Sequence, residues 1–414
     1  MEENECRAEP PISEQGIMDG FNLYQAIGGA ETCRKLSAAF YGRVDRDPLL
    51  RPLFPGKTLR CAIEQFTAFL AQFLGGPPED AQRRWWLSLR ESHQRFKIGQ
   101  KERDAWMKNM RQALDDVPIE EPERTALRDF FERSSAYVVN VGQPPEVAGD
   151  EGGPSCHRIH REIFSRWTAQ RTLDEAVAAA RSGASGPAIA LAEGSTLQTH
   201  CKYNRSVFAA LLAQMIGTAD TAMLDYVREK LLADPALVHE RYSGRTLLHG
   251  AAAAGDLATV ELLLRLGAMP GVVDSGGHTP LYCVANECKA SGGANVVRAL
   301  VQAGAKVDAC DGVKHCTALH MAARRGNVEV AGALLDCGAA IEARDSLGDT
   351  PLRRAVNCDK AGVAALLLAR GSDMRSKGSK GLTPFSAARS TAMKRLLAIS
   401  KGGGVSPTVT TIKA

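Results

Sequence analysis

Between residues 20 and 141, apolar side chains return every three or four positions, the interval at which an α-helix brings its side chains back to one face. Cys33, Leu36, Phe40 and Val44 make one such stripe, and Phe66, Phe69, Leu70 and Phe73 a second. Trp106, Met110 and Leu114 make a third, and Leu127, Phe131 and Val138 a fourth. The stripes are interrupted at Gly28–Gly29, at DPLLRPLFPGK (47–57) and at GGPPED (75–80). Such clusters of glycine and proline stop helices. The pattern predicts a compact helical domain over 21–141, with about five helices. Residues 142–160 open on GQPPEVAGDEGGPS, which has no apolar period and reads as a linker. Residues 1–20 and 401–414 read as disordered ends. Residues 161–243 read as a helical connector, with SVFAALLAQMIGTADTAMLDYVREKLLADP (206–235) as a degenerate capping unit.

From 244 to 400 the chain repeats itself. GRTLLHGAA, GHTPLYCVA, CTALHMAA, GDTPLRRAV and GLTPFSAA each open a unit. Their threonines, Thr246, Thr279, Thr317, Thr350 and Thr383, are spaced 33, 38, 33 and 33 residues apart. The long interval holds extra residues around CKASGGAN and GVKHC. Each unit offers small residues on a first helix (Ala251, Ala322, Ala323) and leucines on a second (Leu262, Leu263, Leu264). Neither helix can bury its face alone, so the units are expected to stack. The threonines are expected to cap the first helices. Gly267, Gly304, Gly338 and Gly371 stand where the second helices should end. The units resemble ankyrin repeats, which implies an α-solenoid that binds an unidentified protein.

Composition narrows the possibilities. Hydrophobic residues are 44% and charged residues 24% of the 414, enough for a sizeable core. A net charge of +4 does not suggest a nucleic-acid partner. No run of 18 apolar residues suggests a membrane span. The first residues lack the basic and apolar regions of a signal peptide, so a cytoplasmic protein is expected. The 11 cysteines include no CxxC pair and read as buried thiols rather than a disulfide framework. Cys156, His157 and His160 stand close together, but no second cluster would complete a four-ligand metal site.

His93 is the one histidine before residue 157, and the residues around it carry a second resemblance. Gly28–Gly29, Phe40–Tyr41, GGP at 75–77, LRESHQRFKI at 89–98 and RDAW at 103–106 occur in that order. The stretch from residue 22 to about 141 resembles the truncated haemoglobins, most closely their second group. The resemblance implies a two-over-two helical fold holding haem b, with His93 as the ligand of the iron. It puts Tyr41 and Trp106 on the distal side, Phe54 against the porphyrin, and Ala62 and Phe66 along the ligand pocket. A neutral imidazole is a strong iron ligand. Tyr41 and Trp106 are amphipathic aromatics that can donate to a bound gas. Phe54, Phe66 and Phe69 can keep the pocket dry, and Arg90, Arg95 and Lys97 can pair with haem propionates. Five positions depart from the family pattern. Trp85, Trp86 and Leu87 replace its Gly-His-Pro, Ser92 replaces a second arginine, and Arg95 replaces a proline.

The expected fold is all-α: a truncated globin followed by an ankyrin array. The expected function is binding of dioxygen or another diatomic gas, coupled to a protein-interaction scaffold. An oxygen-binding or oxygen-transport role does not require an enzyme. A haem peroxidase-like or nitric-oxide-consuming activity is the alternative from a different class. It would need an external reductant, because no flavin or nicotinamide motif occurs. A scaffold whose globin domain no longer works is the third reading.

Overall fold

The computed structural model describes residues 22–77, 88–143, 158–203, 205–378 and 381–402. These residues are helical, with two isolated β-bridges and no strand among them. They divide into two compact units, Met1–Asp174 and Glu175–Ala414.

The first unit contains α1 (Leu23–Ala26), α2 (Gly29–Val44), α3 (Arg60–Phe73), α4 (Leu89–His93), α5 (Gln100–Asp116) and α6 (Glu123–Tyr137). Helix α2 packs on α3 and on α5, and α5 packs on α6, giving two helices over two. The stripes read from the sequence face inward. Cys33, Leu36, Phe40, Val44, Met110, Leu114, Leu127 and Phe131 are buried. Phe66, Phe69 and Trp106 are half-buried against the same core.

A seventh helix, α7 (Arg158–Arg181), begins where the linker was expected to continue. Ile159, Ile163 and Trp167 on this helix belong to the globin core, so the first unit runs on to Asp174. An Ile–Ile–Trp stripe at four-residue spacing is the physical reason: left in water it would expose a large apolar face. Residues 144–157 of the linker, 1–20, and 403–414 of the tail lie outside the described residues. His160 Nε2 lies 3.5 Å from Asp129 Oδ2, and Cys156 and His157 are outside the described residues.

The second unit stacks helix pairs. The first helices of its repeats are α12 (Leu247–Ala254), α14 (Pro280–Glu287), α16 (Ala318–Arg325), α18 (Pro351–Asn357) and α20 (Pro384–Ala387). Each packs on the next. The second helices, α13 (Leu257–Arg265), α15 (Gly293–Gln302), α17 (Val328–Asp336), α19 (Ala361–Ala369) and α21 (Thr391–Gly402), do the same. Upstream lie α8 (Ser185–Glu193), α9 (Ser195–Tyr203), α10 (Arg205–Thr218) and α11 (Thr221–Ala233), and the last two continue the stack in the same register. All five repeat threonines are N-caps. Gly267, Gly304, Gly338 and Gly371 have φ between 87° and 99°, the left-handed conformation that ends the second helices. Cys61, Cys283, Cys288, Cys310, Cys316, Cys337 and Cys358 are free thiols. Cys33, Cys283, Cys288 and Cys316 are buried as expected, but Cys61, Cys310 and Cys358 are exposed, because they fall on helix faces and turns that meet water.

Candidate functional site

The first unit encloses a cavity of about 580 Å³, within the range of ligand pockets and far larger than an ordinary packing void. Helix α2 contributes Tyr41, directly after Phe40, whose buried ring anchors that turn. The loop after α2 contributes Phe54. Arg51 shapes this loop by donating to the carbonyls of Phe54 and Gly56, both at 2.7 Å, and to Asp45 at 2.8 Å. Helix α3 contributes Ala62, Phe66 and Phe69, and α5 contributes Trp106. The rings interlock: Tyr41 stands edge-on to Phe54 at 5.5 Å and to Phe66 at 6.1 Å, and Trp106 lies 5.0 Å from Phe40. Edge-to-face pairs of this kind hold aromatic side chains in one geometry.

His93 enters from the last residue of α4. Its Nδ1 lies 2.8 Å from the carbonyl oxygen of Leu89 and 2.8 Å from Ser92 Oγ. A carbonyl only accepts, so the bond to Leu89 requires the proton on Nδ1 and leaves Nε2 a free lone pair. Among the described residues no protein group hydrogen-bonds Nε2, the Tyr41 hydroxyl or the Trp106 indole N–H. Asn140 fixes the turn that follows His93: its Nδ2 donates to Phe96 O at 2.8 Å and to His93 O at 3.3 Å, while its Oδ1 accepts Ile98 N–H at 2.9 Å.

Burial holds the His93 imidazole below its usual range, against the pull of the Leu89 carbonyl; the Arg95 charge lowers it further. The neutral form is thus favoured, as a metal ligand requires. Burial pushes the Tyr41 phenol well above its usual range, with Arg95 opposing, so it remains a hydroxyl donor.

Of the residues expected at the site, Tyr41, Phe54, Ala62, Phe66, His93 and Trp106 line this one cavity, and so does Arg95. Arg90 and Lys97 do not. The Arg90 guanidinium lies over the Tyr137 ring, 5.0 Å from its centre, and Lys97 is exposed. Long basic side chains follow the nearest ring or carboxylate rather than sequence proximity, which sequence spacing does not show. Trp85, Trp86 and Leu87 lie outside the described residues. Sequence reasoning passed over Asn140, and it gave Phe96 no role although LRESHQRFKI contains it. Phe96 lines the cavity and packs 5.7 Å from Phe54.

The donor set and the wall fit a flat, largely apolar iron macrocycle: one free imidazole nitrogen, aromatic walls and a cation, Arg95, with no acidic partner among the described residues. The Bacterial-like globin family model matches residues 22–140. Group 2 truncated hemoglobin YjbI of Bacillus subtilis is 38% identical over 117 residues, covering 28% of this chain and 87% of that protein. Group 2 truncated hemoglobin 3-1 of Lotus japonicus is 32% identical over 128 residues, covering 30% and 75%. The chain belongs to the group 2 truncated haemoglobins. To this truncated haemoglobin are added ankyrin repeats, whose family model matches residues 215–311 and 287–378. Human Ankyrin repeat and SOCS box protein 16 is 34% identical over 163 residues, covering 37% of this chain and 35% of that protein.

Proposed function

We propose that the cavity holds haem b through His93, that the haem domain binds dioxygen or another diatomic gas, and that the repeat array engages a protein partner. One observation carries the reading. His93 has its proton fixed on Nδ1 by Leu89 and its Nε2 free, on a cavity shared with two donors, Tyr41 and Trp106, that have no protein acceptor among the described residues. Bound haem would supply an iron that takes a gas ligand.

The protein groups then have separate tasks. His93 Nε2 offers the lone pair that holds the iron. Leu89 and Asn140 orient the ring and the turn behind it. Phe54, Phe66 and Phe96 exclude water. Tyr41 and Trp106 donate to a guest that carries partial negative charge. Arg95, at the place where the family has proline, supplies positive charge for a propionate. The test is the visible spectrum of the purified protein, reduced and oxidised, with dioxygen and with carbon monoxide. Bands that shift with each gas support the reading, and an absent Soret band in protein made with ample haem contradicts it.

A further inference from the structure

The matched globin segment stops at residue 140, yet the helix carrying His93 is tied to a carboxylate beyond it. Helix α4 has five residues, so its first N–H groups find no acceptor within the helix. Asp174 on α7 supplies one. Its Oδ1 accepts Leu89 N–H at 3.1 Å and its Oδ2 accepts Arg90 N–H at 3.0 Å. The carboxylate is buried and its Oδ1 also accepts Gln170 Nε2 at 2.9 Å.

The helix that presents Asp174 is itself fixed. Trp167 stands edge-on to Tyr137 at 5.4 Å and to Phe130 at 5.8 Å. Arg166 donates to Phe73 O at 3.1 Å. Leu89 is therefore the link: its N–H is held by Asp174 and its carbonyl holds the Nδ1 proton of His93.

We propose that Asp174 is a positioning residue for His93, acting through Leu89, so that a residue downstream of the globin segment sets the orientation of the proximal imidazole. This rests on the reading of His93 as the haem ligand. Groups that hold a metal-bound histidine set its ring orientation and basicity, and their loss costs about 10–100-fold in metal affinity. A mere helix cap would change stability alone.

The experiment uses full-length protein in two forms. In the haem-free form, amide exchange at Leu89 and Arg90 is compared between wild type and Asp174→Asn; faster exchange at both is expected. In the ferrous haem form, resonance Raman reads the iron–histidine stretch, and transfer to apomyoglobin reads haem loss. Asp174→Asn should displace or split the stretch and speed haem loss about tenfold. Gln170→Leu, which leaves the cap in place, should move the band the same way by less. Trp167→Phe, which loosens α7 without touching the carboxylate, should speed haem loss with the band unmoved. A wild-type band in both Asp174→Asn and Gln170→Leu overturns the proposal even if haem loss quickens. If Asp174→Asn does not fold, a wild-type band in Gln170→Leu overturns it alone. Persistence of the band in His93→Gly would instead overturn the ligand reading itself.

Discussion

His93 Nδ1 lies 2.8 Å from the carbonyl oxygen of Leu89, one helical turn upstream. That bond selects the tautomer and leaves Nε2 for a ligand.

Trp106→Phe keeps an aromatic wall and removes the indole N–H. A net hydrogen bond is worth about 0.5–1.5 kcal/mol, so dioxygen release should quicken roughly two- to tenfold. Carbon monoxide release, with less charge to stabilise, should change less. Tyr41→Phe should act in the same direction, and the double variant should be less than additive because one guest serves both donors. Stopped-flow release rates decide it; equal or slower dioxygen release in both variants would make these rings packing alone.

Arg95 lines the cavity with its guanidinium 4.7 Å from the centre of the Phe96 ring, while Arg90 lies over Tyr137. Arg95→Ala should therefore speed haem loss several-fold, and Lys97→Ala and Arg90→Ala should speed it less. Haem transfer to apomyoglobin ranks the three. An equal effect in all three would mean that general positive charge matters and the placement of Arg95 does not.

Leu263 and Leu334 are fully buried in the second helices of their repeats. Truncation of either to alanine should cost about 2–5 kcal/mol, read by denaturant titration. Interactions in a stack of repeats are between neighbours, so the Soret band should be unchanged.

The repeat histidines give a pH dependence whose sign follows from their surroundings. His249 Nε2 lies 3.1 Å from His278 O, and His320 Nε2 lies 3.1 Å from Asp349 O. Burial holds both imidazoles below the usual range, against the pull of those carbonyls. The folded array thus binds fewer protons than the unfolded chain. Its stability is complete above the unfolded value of about 6.5 and is lost as pH falls through the lower folded values. Arg353 occupies the same register one repeat later, and its Nη1 donates to Thr383 O at 3.0 Å. Melting of the array should fall between about pH 7.5 and pH 5, and Arg353→His should steepen the fall. A flat profile in both proteins would contradict the assignment.

Much of this molecule could be read from its sequence because the controlling signals are local. The stripes Cys33–Leu36–Phe40–Val44 and Met110–Leu114 are buried as their period requires, and the five threonines cap helices as their spacing requires. Tyr41, Phe54, Phe66 and Trp106 come together because motif order carried over the whole domain. Arg90 and Lys97 do not line the cavity, because a guanidinium or ammonium on a long stem is directed by tertiary neighbours. Asp174 was illegible for a different reason. It sits 85 residues from Leu89 in the chain, within a stretch that reads as a helical connector, and only folding brings its carboxylate to α4.

The measurement that bears most directly on the central claim is the ferrous spectrum of full-length protein, wild type against His93→Gly, with and without added imidazole. Wild type should show a Soret band that shifts with carbon monoxide, together with an iron–histidine stretch. The variant should lose that stretch, and free imidazole should restore a five-coordinate spectrum. An unchanged histidine-ligated spectrum in His93→Gly would contradict the account.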